Sequence, residues 1–274
     1  MSRTAIITDL DGTILPRGGC VSEEVLSALQ NIGEKGNVRI IATGRNLYSA
    51  RQVLADDFPI DYLVFASGAG VMRWHDKKLL SACHLSEKNA RDIARYLWDF
   101  SINFTVQREI PDNHHYYYTE HYPQHADYLR RLETYKTFGI PISTPEDIHG
   151  RVTQFVMILD AMQLRLMEGI RSQLSGYSIV RTTSPIDNRA IWLEIFAKGV
   201  NKGAACRKLL EMLEIDCANC AGIGNDYNDV DFLDICGHSA VVSNAPAQLK
   251  NLYKTVASDR QNGFVEFAIK NLML

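Results

Sequence analysis

Thr4-Ala5-Ile6-Ile7-Thr8-Asp9-Leu10-Asp11-Gly12-Thr13 opens a chain of 274 residues and decides how the rest of it is read. The apolar run Ala5 to Ile7 reads as a short, buried parallel strand. Two carboxylates follow, two residues apart, just past the carboxyl end of that strand, where open α/β sheets place their ligand crevices. Residues i and i+2 of an extended segment share a face, so Asp9 and Asp11 converge on one small volume. Like charges held so close require a cation or a shared proton. Gly12 frees the backbone for a sharp turn, and Thr13 adds a hydroxyl. Taken alone, the stretch is more simply an acidic corner between strand and loop. The other strand ends have to decide.

Working outward, Ser22 followed by Glu23 and Glu24 is an N-cap with acidic residues in the first turn. Val25, Leu26, Leu29 and Ile32 then recur at helical spacing. The run 38–42 reads as a second buried strand ending in Thr43-Gly44-Arg45, a helix covers 46–55, and 62–66 is a third strand ending in Ser67-Gly68-Ala69-Gly70. This alternation predicts a doubly wound, Rossmann-like parallel sheet. Segments around 71–73 and 79–80 flank a small hairpin. From residue 83 the texture changes: helix 86–100, strands 103–108 and 115–119, a polar helix 124–136, strand 152–160, helix 161–175, and strands 177–182 and 191–196. Few of these strands end in glycine, so the segment reads as an inserted α+β domain with an antiparallel sheet. The parallel pattern then resumes with helix 201–213, strand 219–223 ending in Gly224-Asn225-Asp226-Tyr227-Asn228-Asp229, strand 239–242 and a last helix over 263–272. The expected organisation is a discontinuous α/β core, 1–82 and 198–274, with an insert over 83–197.

Composition narrows the class. A hydrophobic fraction of 46% and a charged fraction of 22% belong to a globular protein with a sizeable core, and a net charge of −3 supplies no attraction for nucleic acid or an acidic membrane. No signal-like or membrane-length apolar run is visible, so the expectation is a cytoplasmic protein with no membrane partner. Six scattered cysteines fit reduced thiols better than a disulfide framework. Cys217-Ala218-Asn219-Cys220 has redox or half-zinc spacing, but no second pair of ligands accompanies it.

Three strand ends and one helix start carry side chains able to meet: Asp9 with Asp11, Thr43, the cluster Asn225, Asp226, Asn228 and Asp229, and Lys202. Singly, each has an ordinary explanation as a turn, a helix cap or a solvated lysine. Jointly, they are two acidic clusters, a hydroxyl and a cation on one rim, an inventory suited to Mg²⁺ and a phosphate. Mg²⁺ takes oxygen ligands and is held by one or two carboxylates plus substrate phosphate. A carboxylate attacks phosphorus to give an aspartyl-phosphate, and the remaining work is positioning and charge neutralisation.

With these residues in view, the chain resembles the haloacid dehalogenase superfamily, in the Cof-type branch of sugar-phosphate phosphatases. Asp9-Leu10-Asp11-Gly12-Thr13 matches the first motif, Thr43-Gly44-Arg45 the second, Lys202 the third, and 224–233 resembles the fourth. Ser67-Gly68-Ala69, Asn244-Ala245 and Asn262-Gly263-Phe264-Val265 agree with softer signatures. The resemblance implies a Mg²⁺-dependent phosphomonoesterase whose partner is a small phosphorylated substrate. It makes Asp9 the nucleophile and Asp11 the acid/base. Thr43, Gly44 and Lys202 hold the phosphoryl group, and Arg45 contacts phosphate or cap. Asp9 and the Asp11 carbonyl are metal ligands, joined by Asn225 or Asp226, with Asp229 in or near the site. The fourth motif departs from the family pattern, because Asn225 stands where a metal-binding Asp is usual. A carboxamide brings an oxygen but no charge. The family's cap sets specificity, which makes Tyr116, Tyr118, His114, His115, Arg189 and Glu194 weak candidates for substrate contact, with Asn228 a weak candidate from the core. A phosphotransferase or phosphomutase on the same core needs a second phosphate site, for which no Arg/Lys cluster stands out in the insert. A non-catalytic phosphometabolite-binding regulator is suggested only by Asn225.

Overall fold

The structure, a computed structural model, describes residues 4–121, 125–160, 163–183 and 190–272. In chain order the first elements are β1 (Ala5–Thr8), α1 (Glu23–Glu34), β2 (Val38–Ala42), α2 (Leu47–Arg51), β3 (Tyr62–Phe65), β4 (Gly70–Arg73) and β5 (Lys78–Ala82). There follow α3 (Glu87–Trp98), β6 (Phe104–Arg108), β7 (Tyr116–Tyr118), α4 (Ala126–Thr134), β8 (Gly139–Pro141), β9 (Val152–Leu159), α5 (Leu164–Gln173), β10 (Ser178–Thr183) and β11 (Ile191–Phe196). The chain closes with α6 (Lys202–Met212), β12 (Cys220–Gly224), α7 (Val230–Leu233), β13 (His238–Val242), α8 (Ala247–Leu252), β14 (Lys254–Val256) and α9 (Gly263–Leu272). Two compact units emerge, one of Met1–Arg45, Ser49–Ala82 and Asn201–Leu274, the other of Asn46–Tyr48 and Cys83–Val200.

The first unit is built on a sheet ordered β14-β13-β12-β1-β2-β3-β4-β5. β14 through β3 run parallel, and β4 and β5 add an antiparallel edge. β1 pairs with β2 on one side and with β12 on the other, so the chain leaves it in both directions across the sheet. That makes β1 the topological switch point, and its carboxyl end the place for a ligand crevice. Helices cover both faces. Ala205, Cys206 and Leu209 of α6 pack with Ala5, Ile7, Val38 and Ile40. Arg39, on the opposite face by strand alternation, donates from Nη1 to the Leu29 carbonyl of α1 at 3.3 Å. α1 follows from its sequence: Ser22 caps the Val25 amide at 3.3 Å, and Val25, Ala28, Leu29 and Ile32 are the buried stripe. Each large residue of such a stripe contributes about 1.5–3 kcal/mol.

The second unit carries a sheet ordered β10-β11-β9-β6-β7-β8. Its pairs are antiparallel except the last, where Tyr116 to Tyr118 run parallel to Gly139 to Pro141. α3 and α5 bury Ile93, Leu97, Met167 and Ile170 against Phe104, Phe155, Met157 and Leu193. On the opposite face Tyr128 of α4 joins Val156, Ile158 and Trp192.

Several expectations shift. The helix expected over 46–55 is only Leu47–Arg51, because the chain tightens into a turn in which the Val53 amide bonds back to the Ala50 carbonyl at 3.1 Å. β8 and β14 were not anticipated, being three-residue edge strands without room for an alternating pattern. Pro141 is tolerated in β8 because an edge strand can forgo a ladder donor. The six cysteines are free. Burial pushes the Cys206 and Cys220 thiols up to about 12, which makes them inert packing groups. Cys217 lies in a short turn capped by Asp216. Among the described residues no helix is long and apolar enough to cross a membrane.

Candidate active site

The first unit assembles its polar rim from the ends of β1, β2 and β12 and the start of α6. Asp9 follows β1, and its amide is held by the Ile223 carbonyl of β12 at 3.0 Å. The side chain is 5% exposed as a residue and engaged through both oxygens. Lys202 Nζ donates to Oδ1 at 2.7 Å, and Thr13 Oγ1 donates to Oδ2 at 3.2 Å. Asn201 caps α6 by accepting from the Ala204 amide at 2.6 Å, which fixes where Lys202 begins. Lys202 is 1% exposed and also donates to Asp229 Oδ1 at 2.6 Å. A buried lysine at a helix N-terminus faces desolvation and an unfavourable dipole, so it persists only between carboxylates.

Electrostatics follow from that burial. Loss of hydration, then the Asp229 charge, raises the Asp9 carboxyl far above its usual range, and Lys202 opposes the rise. Burial also works against the charge on Lys202, but Asp229 and Asp9 outweigh it and the ammonium is held charged. The pair is therefore a carboxylate that needs positive charge beside an ammonium that supplies it.

The loop after β1 is shaped by Gly12, whose φ of +76° is the left-handed region. A Cβ there would lie 2.4 Å from Asn225 Nδ2, so the Asn225 carboxamide lies directly against this loop. Asn244 Nδ2 donates to the Gly12 carbonyl at 2.8 Å. Thr43, 1% exposed, follows β2 and accepts the Arg45 amide on Oγ1 at 3.1 Å. A Cβ on Gly44 would lie 3.6 Å from Ser67 Oγ and 3.7 Å from Asn228 Nδ2, which places both side chains beside this turn. Asp11, Thr43, Gly44, Asn225, Asn228 and Lys202 thus belong to one rim of one unit.

Known proteins resemble the chain over nearly its whole length. A family model of haloacid dehalogenase-like hydrolases matches residues 6–269. The chain belongs to this family. A Bacillus subtilis 5-amino-6-(5-phospho-D-ribitylamino)uracil phosphatase is 24% identical over 286 residues, covering 98% of this chain and 97% of the relative. A Serratia proteamaculans HMP-PP phosphatase is 28% identical over 264 residues, covering 89% and 85%. Among solved structures, a Streptococcus mutans protein superposes with a TM-score of 0.82 at 18% identity, covering 100% of each chain. A Bacteroides thetaiotaomicron phosphatase of the same superfamily reaches 0.80 at 17% identity, covering 98% of this chain and 94% of that one.

Within this haloacid dehalogenase-like hydrolase, three of the expected side chains are occupied in ways that spacing did not reveal. Asp229 is fully buried, and its Oδ2 accepts the amides of Asn225 and Asp226 at 2.8 and 3.0 Å while Oδ1 holds Lys202. Asp226 caps the turn that follows it, accepting the Tyr227 amide at 2.8 Å within a reciprocal capping box with Asp229. Arg45 reaches Asp11 through two bonds of 2.7 Å each. Thr13 and Asn244 are the residues whose roles the motif reading left unassigned. The signal was present: a hydroxyl two residues beyond the second aspartate, and an Asn-Ala pair after a late strand. Among the described residues no group of three or more His, Cys, Asp or Glu side chains is arranged to hold a metal ion.

In the second unit, Tyr116 is 3% exposed, and its hydroxyl lies 3.3 Å from the Tyr135 carbonyl, past the end of α4. Tyr118 is half-buried, its ring 5.9 Å from that of Tyr116. Glu194 accepts from Gln154 Nε2 at 3.0 Å. As adjacent residues, His114 and His115 would point to opposite faces if both lay in a strand. Instead they precede β7, and their rings lie 4.4 Å apart, each against Phe138. Arg189 lies outside the described residues.

Proposed function

We propose that this hydrolase is a Mg²⁺-dependent phosphomonoesterase acting on small phosphorylated metabolites, sugar phosphates first. The observation that carries the reading is the buried Lys202 ammonium between Asp9 and Asp229, 2.7 and 2.6 Å away. It fixes one oxygen of a carboxylate at the switch point of the sheet and brings a cation to the same place. The named relatives, phosphatases of small phosphorylated compounds, support the reaction class.

In this reading an Asp9 oxygen attacks phosphorus, the bond from phosphorus to the ester oxygen breaks, and its electron pair leaves on that oxygen, which takes a proton from Asp11. Thr43 Oγ1, the Gly44 amide and the remaining N–H of Lys202 hold the phosphoryl oxygens. Lys202 has three N–H donors, two of them spent on carboxylates. Asp229, with its oxygens engaged, is assigned to anchoring Lys202 rather than to the metal, and Asp226 to the helix cap.

The donors fit Mg²⁺ by chemistry: the Asp9 carboxylate, the Asp11 carbonyl and the Asn225 carboxamide are all hard oxygens. Asn225 is preferred over Asp226 because its carboxamide lies against the Gly12 loop, with Nδ2 2.4 Å from where a Cβ would stand, whereas the Asp226 carboxyl caps the following turn. Bound there, Mg²⁺ would neutralise charge on Asp9 and on the phosphoryl oxygens.

Phosphate release from p-nitrophenyl phosphate and a sugar-phosphate panel, with and without Mg²⁺, tests the reading. Wild-type protein releasing none at any metal concentration would reject it. Asp9→Asn is expected to abolish turnover with the fold intact. Asn225→Asp adds a charge, so a Mg²⁺ titration followed by thermal shift is expected to show affinity at least tenfold tighter, and Asp226→Asn little change. Equal midpoints for Asn225→Asp and wild type would remove Asn225 from the metal site.

A further inference from the structure

Arg45 stands in the motif expected to touch the phosphoryl group, yet its guanidinium is committed elsewhere. Nε donates to Asp11 Oδ2 and Nη2 to Oδ1, both at 2.7 Å, and Nη1 donates to the Ser49 carbonyl at 3.0 Å. The backbone carrying it is pinned on both sides: its amide donates to Thr43 Oγ1 at 3.1 Å, and its carbonyl accepts the Ala66 amide at 2.7 Å. We propose that Arg45 is the positioning residue of the second half-reaction, aiming the Asp11 carboxylate as the acceptor of the proton from the attacking water.

The case rests on what else holds Asp11. Its neighbour Asp9 is locked by Lys202 and Thr13, whereas the Asp11 side chain is 45% exposed. The main chain is fixed by the Gly12 amide on the Leu15 carbonyl at 2.8 Å, but that leaves the carboxyl free to turn. A planar fork making two parallel bonds fixes the carboxylate plane as well as its place, which a point charge cannot do. A carboxylate offers about four lone-pair sites, so two held by the fork leave an edge toward a water. The pair adds little to stability, because exposed ion pairs seldom do. Its value is in aim.

The inference rests on the phosphatase reading. In the second half-reaction, water oxygen forms a bond to phosphorus, the bond from phosphorus to the Asp9 oxygen breaks, and its electron pair returns to the Asp9 carboxylate. The water proton goes to an Asp11 oxygen. That step needs an Asp11 oxygen aimed at the water, and the fork on both oxygens fixes that aim. Asp11 also gives a proton to the leaving oxygen in the first half. The contribution therefore reads most cleanly on a substrate whose leaving group needs no proton.

Stopped-flow hydrolysis of p-nitrophenyl phosphate by the full chain with Mg²⁺ separates the two halves. In Arg45→Ala the burst of p-nitrophenolate is expected to keep its wild-type rate and to approach one equivalent, while the steady-state rate falls about 10²-fold, in the range of general-base contributions. KM is expected to fall with it. Arg45→Lys keeps the charge but not the fork, and is expected to recover less than a tenth of the loss; it reads the same quantities should Arg45→Ala fold poorly. Three results overturn the proposal: a raised KM at unchanged kcat, which makes Arg45 a phosphate ligand; a burst rate that falls with the steady state; or no change at all. Wild type that releases no phosphate would instead fail the phosphatase reading, before any Arg45 variant is compared.

Discussion

At the scale of single residues, Lys202 is where stability and chemistry coincide. Its position in the first turn of α6 costs about 0.3–1 kcal/mol against the helix dipole. Breaking a buried ion pair by removing one member costs about 3–5 kcal/mol, because the carboxylates left behind are unsatisfied. The second effect wins, so Lys202→Met is expected to lower unfolding free energy by about that amount and to abolish turnover. Denaturant titration with a constant m-value checks the first. Adding Asp229→Asn to Lys202→Met is expected to recover part of the loss, since one stranded charge goes with it. A double variant no more stable than the single would mean that Asp229 is held by its backbone amides independently of Lys202.

At the scale of elements, the loop after β3 must approach the start of α6 closely enough to leave no room for a side chain. Ala66, Ser67 and Gly68 all have positive φ, +47°, +51° and +100°. A Cβ on Gly68 would lie 2.2 Å from the Asn201 carbonyl oxygen and 3.1 Å from the Lys202 amide. Gly68→Ala therefore meets strain of about 1–3 kcal/mol and a clash with backbone, and pushes on the residue that positions Lys202. Loss of both stability and turnover is expected. Gly169, exposed in α5 with nothing within 4 Å of a Cβ, is the contrast. There Gly169→Ala is expected to stabilise by about 0.5–1 kcal/mol through helix propensity and to leave turnover unchanged. Thermal unfolding of the two variants beside wild type measures the opposite signs. These elements also mark what the sequence could tell. The apolar runs giving way to polar residues and glycines announced β1, β2, β3 and β12, and with them the rim carrying Asp9, Thr43 and Asn225. β8 and β14 were hidden because three residues hold no period. The tasks of Asp226 and Asp229 were hidden too: a run of Asn and Asp shows that a helix start is capped, but not which oxygen meets which amide. Arg45 on Asp11 depended on a fork reaching back across 34 positions, which spacing does not encode.

For the whole molecule, the division of labour between the two units sets how ligand binding should spread. Asp9, Asp11 and Asn225, the proposed Mg²⁺ donors, lie in the unit made of Met1–Arg45, Ser49–Ala82 and Asn201–Leu274. The other unit has its own core, in which Ile93, Leu97, Phe104, Phe155 and Leu193 are buried together. A ligand that binds only the folded state stabilises it by about 2.7 kcal/mol at a hundredfold excess over Kd, and that gain falls on the cooperative region containing the donors. Hydrogen exchange with and without Mg²⁺ alone is therefore expected to slow in peptides spanning β1, β2, β12 and α6, and to stay unchanged in those spanning β6, β9 and β11. Asn225→Ala is expected to remove most of the slowing while leaving exchange in the metal-free protein as it was. Uniform slowing across both units would show that they unfold as one cooperative body. Slowing confined to β6, β9 and β11 would place the cation in the other unit and overturn the donor set proposed around Asp9.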